Sequence, residues 1–157
     1  MVASLQEVTI SQLRGELTAA ELEAVPGAVF GTSEATSEEV YSWLGEKLLQ
    51  ACDRVVAAVN SCSRNPRIMT GLYKVPAACV RTVLVLARHA VISAIPGLAD
   101  TLEGSSRAAE YSTAVQDLAR LASCEFVPEY SLTSEEGSTG NSGVTLVLGS
   151  TASDYLF

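Results

Sequence analysis

The sequence predicts an all-α fold: a small helical bundle of two short N-terminal helices and three longer ones, with an extended C-terminal tail. Apolar residues recur at helical spacing through most of residues 9–128. Thr18 with Glu21, and Thr36 with Glu39, sit at the capping-box spacing that opens helices. The chain is 48% hydrophobic but only 6% aromatic, with Ala and Val abundant, a mixture that suits closely packed helices. Its 157 residues suffice for one domain with a single core. We place the helical domain at residues 1–128, with a flexible linker and a partner-binding tail over 129–157.

Taken in order, Thr9 is the expected N-cap of Ile10–Arg14, and Thr18 that of a second short turn, AAELEAV, joined to the first near Gly15. Helix-turn-helix DNA readers can begin this way, but AAELEAV carries two glutamates where a recognition helix needs Arg, Lys, Asn or Gln. Pro26 to Ala35 reads as a turn-rich connection. Thr36 then opens a long amphipathic helix in which Val40, Trp43, Leu44, Leu48, Ala51, Val55, Ala58, Val59 and Cys62 share a face. It spans about 26 residues, or about 40 Å. Trp43 reads as a core or subunit-contact anchor.

Asn65-Pro66 and Gly71 break that helix within SRNPRIMTGLYK, a loop presenting Arg64, Arg67 and Lys74 together with Tyr73. Such a loop suits either nucleic acid or a solvated or inter-subunit contact. The central helix follows over Val75–Ile95. Pro76 suits its first turn, and Pro96-Gly97 marks its end. Its apolar residues cover most of the circumference, as expected in the middle of a bundle. Lys74, Arg81 and Arg88 are seven apart, which predicts one narrow basic stripe, with Thr82 and His89 beside it. Two arginines in mid-helix would make membrane insertion cost about 2.5–3.5 kcal/mol each, so a soluble core helix is expected. Ser106 is the expected cap of the last long helix, whose buried face holds Ala108, Tyr111, Ala114 or Val115, Leu118, Leu121 and Ala122. Pro128 closes the folded part.

The remainder changes character. TSEEGSTGNSG has linker composition. Val144, Thr145, Leu146, Val147 and Leu148 are β-prone, and Tyr155, Leu156 and Phe157 are apolar. A lone strand cannot stabilise itself, so completion by a partner, through strand addition or an apolar hook, is the expectation over plain disorder.

Charge is segregated. Residues 1–53 carry −7, residues 54–99 carry +6 with no acid at all, and residues 100–157 carry −7. The basic middle is either balanced within the molecule or gives it unlike faces suited to pairing with copies of itself. Cys52, Cys62, Cys79 and Cys124 lack a metal-ligand spacing, and all four are expected as reduced, packed thiols. The opening MVASLQEVTI has neither a basic start nor an apolar run, which points to a cytosol-like compartment. His89, the one histidine, has no carboxylate within a helical turn, and GSTGNSG lacks the Gly-Lys-Ser/Thr ending of a phosphate loop. Thr36-Ser37-Glu38-Glu39 is explained by the helix dipole. We expect no enzyme, no cofactor and no metal.

The arrangement as a whole resembles a known group. Two short opening helices, a long amphipathic helix ending in SRNPRIMTGLYKVP, the hydrophobic AACVRTVLVLARHAVI and the last helix RAAEYSTAVQDLARLAS are similar, over residues 9–128, to the small helical head–tail connector (adaptor or head-completion) proteins of tailed bacteriophages. The resemblance implies a virion subunit, made in the host cytoplasm, that closes with copies of itself, usually twelve, into a ring beneath the portal protein. That ring extends the channel through which double-stranded DNA passes, and it offers a platform to a tail-side stopper or tail-terminator protein, with no membrane involved. It also implies that the C-terminal segment, here Val144 to Phe157, reaches the portal. On this reading Arg64, Arg67, Lys74, Arg81 and Arg88 meet acidic surfaces of neighbouring subunits or, for Arg64 and Arg67, point into the lumen. The competing reading is a cytosolic, antitoxin-like regulatory module holding one protein partner with its apolar tail. A sequence-specific DNA binder would need base-reading side chains on an exposed helix, and none is found.

Overall fold

The computed structural model describes residues 2–100 and 104–137, and these form a mostly helical bundle with one small two-stranded ribbon. Strand β1 (Gln6–Glu7) leads into helix α1 (Ile10–Gly15), α2 (Ala19–Phe30) and the long α3 (Ser37–Ser61). Strand β2 (Lys74–Val75) and a single 3-10 turn (Ala77–Cys79) enter α4 (Val80–Ser93), followed by the short α5 (Pro96–Ala99) and α6 (Ser106–Ala122). Helices α3, α4 and α6 pack on one another, and α1 closes over α3 and α4.

Local chemistry sets the helix starts. Thr9 with Gln12, Thr18 with Glu21 and Thr36 with Glu39 each form a complete capping box, the threonine hydroxyl accepting from the third backbone N–H and the longer side chain accepting from the threonine N–H. The last helix starts one residue earlier than expected, since Ser105 rather than Ser106 accepts from the Ala108 N–H. Burial then fixes the packing. Leu44, Leu48, Val55 and Val59 of α3 and Val83, Ala87, Val91 and Ile92 of α4 are buried. On α6 the buried position is Ala114 rather than Val115, with Leu121 beneath it. Trp43 packs against the core from its edge, with the Lys47 ammonium 5.3 Å from its ring centre.

Four further expectations about the fold are corrected. Helix α2 does not stop before Pro26 but runs through it to Phe30. The proline removes one backbone donor, yet Val25, Val29 and Phe30 continue the apolar face begun by Leu22 and pack against the core. Gly31, in the left-handed conformation at φ 73°, ends the helix. The central helix is shorter than Val75–Ile95: Val75 pairs with Gln6 in the antiparallel ribbon, and regular α-helix begins only at Val80. Pro96 does not merely follow a helix but begins α5, at whose N-terminus its missing N–H costs nothing.

The fourth correction concerns the folded body, which continues past Pro128 to Gly137. Tyr130 is buried and donates its hydroxyl proton to the Pro66 carbonyl. Ser131 N–H donates to Ala3 O at 3.0 Å, and Met69 N–H to Glu136 O at 2.7 Å, with isolated bridges joining Ser4 to Ser131 and Ile68 to Gly137. Two of the places expected to be linker are therefore held by backbone pairing. Val144, Thr145, Leu146, Val147, Leu148, Tyr155, Leu156 and Phe157 lie outside the described residues.

Candidate functional site

The five basic residues singled out by the sequence are distributed over three environments. Arg81 and Arg88, two turns apart on α4, share the same two acids. Arg81 Nη1 donates to Glu16 Oε1 at 2.7 Å and its Nη2 to Glu110 Oε2 at 3.0 Å. Arg88 Nη1 reaches the same Glu16 oxygen at 3.3 Å, while its Nη2 bonds Glu110 Oε1. Glu16 is the residue just past α1 and Glu110 lies on α6, so the lattice ties three helices along one edge of α4. Arg88 is only 6% exposed. The expected basic edge of the central helix is thus covered by acids of its own chain. The Arg88 hydrogen bond, reinforced by Arg81, holds the Glu110 carboxyl below its usual range, and the Glu16 hydrogen bond raises Arg81 further.

A second pair extends the lattice. Arg107, at the start of α6, bonds the Glu21 carboxylate and approaches the Glu16 carbonyl at 3.4 Å. Burial pushes the Glu21 carboxyl upward, but the Thr18 amide and Arg107 outweigh it and its pKa ends lowered. Glu21 therefore serves both as a helix cap and as an ion-pair partner.

Lys74 does not continue the stripe of Arg81 and Arg88. It belongs to β2, and its Nζ lies 3.1 Å from Glu136 Oε1. Glu136 is 2% exposed and accepts the Thr133 N–H through Oε2 at 3.1 Å. Burial raises the Glu136 pKa, the Thr133 amide and Lys74 lower it more, and the net shift is downward. The heptad counted from Lys74 to Arg81 crosses Pro76 and the 3-10 turn, so it is not a helical repeat.

The third environment is the loop after α3. Arg64 donates through Nη2 to the Cys124 carbonyl, and both Arg64 and Arg67 are exposed. Among the described residues neither is paired with a carboxylate. Tyr73 is not displayed for base stacking. It turns inward at φ 55°, donates its hydroxyl to Gly45 O at 3.1 Å and packs against the core. Intramolecular balancing thus accounts for Lys74, Arg81 and Arg88 and leaves Arg64 and Arg67 facing outward.

His89 stacks on Tyr111 with ring centres 3.6 Å apart, and Ser93 Oγ lies 3.3 Å from Nδ1. Burial, then Arg88 and Arg54, lower its pKa, so the ring is neutral at pH 7. Cys52 and Cys79 are the expected buried thiols, both pushed by burial to about 12. Cys62 and Cys124 are not: they form a disulfide. Their separation of 62 residues leaves no trace in local sequence, and only the chain's return along α6 brings them together. Glu16, Glu110 and Glu136 were likewise not singled out from sequence, and Glu21 was named only as a helix cap, not as the partner of Arg107. The signal available was the six-cation block with no acid of its own, which must find its counter-charge on other elements.

Among the described residues there is no cluster of three or more His, Cys, Asp or Glu side chains placed to hold a metal ion, and no helix long and apolar enough to cross a membrane. Compared with known protein families, with characterised proteins and with solved structures, the chain matches none.

Proposed function

We propose that this chain is a structural head–tail connector subunit of a tailed bacteriophage, without enzymatic activity, which closes into a ring beneath a portal protein and extends the DNA channel. The observation that carries the reading is how charge is disposed on the helical body. Lys74, Arg81, Arg88 and Arg107 are neutralised inside the chain, whereas Glu23, Glu34, Glu38, Glu46, Glu125 and Glu135 remain exposed. A wall repeating that surface around a lumen repels duplex DNA and lets it slide, because tight, salt-dependent binding requires unpaired Lys and Arg facing the phosphates. Arg64 and Arg67 supply the unlike patch that a head-to-tail interface needs, and such an interface closes into a ring when its rotation permits.

The test is assembly. The double variant Arg64→Glu/Arg67→Glu should keep the helical circular-dichroism spectrum of the parent and weaken ring formation by about tenfold or more, since like charges set face to face cost several kcal/mol. Native mass spectrometry reads the ring directly, and unchanged assembly would exclude this contact. Deleting residues 143–157 should leave the helical body intact and abolish co-sedimentation with a portal ring. Undiminished attachment of the truncated chain would remove the anchoring role of Val144–Phe157. A small oligomer bound to one soluble protein, with no ring, would favour the regulatory reading instead.

A further inference from the structure

We propose that Cys62 and Cys124 are a redox-conditional staple, thiols in a reducing compartment and a disulfide outside it, which fixes covalently the corner where the chain leaves the bundle. The inference stands independently of the connector reading. Cys62 is the C-cap of α3 and is 1% exposed, whereas Cys124 lies just past the end of α6, half-buried, with φ 65°. Their Cα atoms are 5.2 Å apart, inside the range a disulfide spans. The closed loop contains the whole of α4.

Three non-covalent contacts hold the same corner without the bond. Arg64 donates to the Cys124 carbonyl, Asn65 Nδ2 to Val59 O at 2.8 Å, and Tyr130 to the Pro66 carbonyl. The two thiols are therefore kept adjacent in the reduced chain, and bond closure is intramolecular. The other two cysteines do not compete, because both are buried away from solvent and neither is placed to pair, whereas Cys62 has the Cys124 sulfur beside it.

With a small-molecule disulfide as oxidant, the more exposed Cys124 thiolate attacks one of its sulfurs. This forms a mixed disulfide and expels one small thiolate. The Cys62 thiolate then attacks the Cys124 sulfur, and the second small thiolate leaves. Two protein thiols are oxidised to one disulfide, one small disulfide is reduced to two thiols, and the two protein protons end on the departing thiolates. Because the corner carries residues 125–137, oxidation pins that segment to the end of α3.

The experiment uses the full chain, incubated with oxidised or reduced glutathione, then unfolded and alkylated. After oxidation two cysteines should be alkylated, Cys52 and Cys79, and after reduction all four. Four alkylated cysteines in both samples, or a pairing that includes Cys52 or Cys79, would overturn the proposal. On the same wild-type samples, reduction should raise the unfolding equilibrium constant by about a hundred- to a thousandfold, as expected for opening a long loop; equal denaturant midpoints would overturn it. Order of attack is read separately with native protein. Cys62→Ser should take up one glutathione, at Cys124, and Cys124→Ser should take up none, whereas adduct formation only on Cys124→Ser would reverse the assignment of the attacking thiol.

Discussion

Reversing the charge at Arg88 is expected to destabilise the protein severely at neutral pH. The guanidinium is almost fully buried between Glu16 and Glu110. Arg88→Glu would place a third carboxylate against those two, leaving only the more exposed Arg81 to compensate. Removing one partner of a buried ion pair alone costs about 3–5 kcal/mol. Reversal adds repulsion to that loss, so a cost above about 4 kcal/mol is expected, a large share of the about 5–15 kcal/mol that holds a typical domain folded. Arg88→Leu should be milder, about 2–3 kcal/mol, because the acids are partly solvated and keep Arg81 while the leucine fills part of the space. Urea titration followed by circular dichroism separates the two variants. The exchange Arg88→Glu/Glu110→Arg should recover a measurable part of the loss, since it restores an opposite pair across α4 and α6. If Arg88→Glu unfolds at the parent urea midpoint, the lattice is not what holds this edge of the bundle together.

The same edge shows how far the sequence could be read. The N-cap at Thr9, the capping boxes at Thr18 and Thr36, and the apolar run of α4 were legible because they depend on residues within one or two turns. The partners of Arg81 lie 65 and 29 residues away, at Glu16 and Glu110, and no local pattern links them. Pro26 was misleading for a related reason: its local effect on the helix is overridden by burial of Val25, Val29 and Phe30 against distant elements. The segment after Pro128 looked like a linker because much of its attachment is backbone pairing to Ala3, Ser4, Ile68 and Met69, which leaves little mark on side-chain composition. What did carry information across the chain was charge. A block of six cations without an acid implied counter-charge elsewhere, although it could not say whether in the same chain or a neighbouring one.

Glu136 offers the second large effect, because it is the side chain that fastens the returning segment to β2. Glu136→Lys would set an ammonium beside that of Lys74 in a nearly inaccessible position and leave the Thr133 N–H without its acceptor. A cost above about 3 kcal/mol is expected from the unpaired buried charges. Limited proteolysis should show early cleavage within 129–137 while the helices remain protected. Glu136→Gln keeps the shape and loses the charge-assisted bonds, for about 1.5–3 kcal/mol at neutral pH, and it also tests the pH dependence. The Glu136 carboxyl is lowered on folding, as are Glu21 and Glu110. Each therefore contributes stability that is complete above the unfolded carboxyl pKa near 4.5 and is lost as the pH falls through the folded value. His89, lowered from 6.5, acts in the same sense at higher pH: the unfolded chain takes up its proton first, and stability begins to decline below about 6.5. The parent should thus lose stability gently below pH 6.5 and steeply below 4.5. Glu136→Gln should start lower and fall less steeply in the second range alone, since it removes one of the three carboxylates that bind protons more tightly when unfolded. An acid limb identical to the parent's would show that the Glu136 carboxylate does not hold the segment in place.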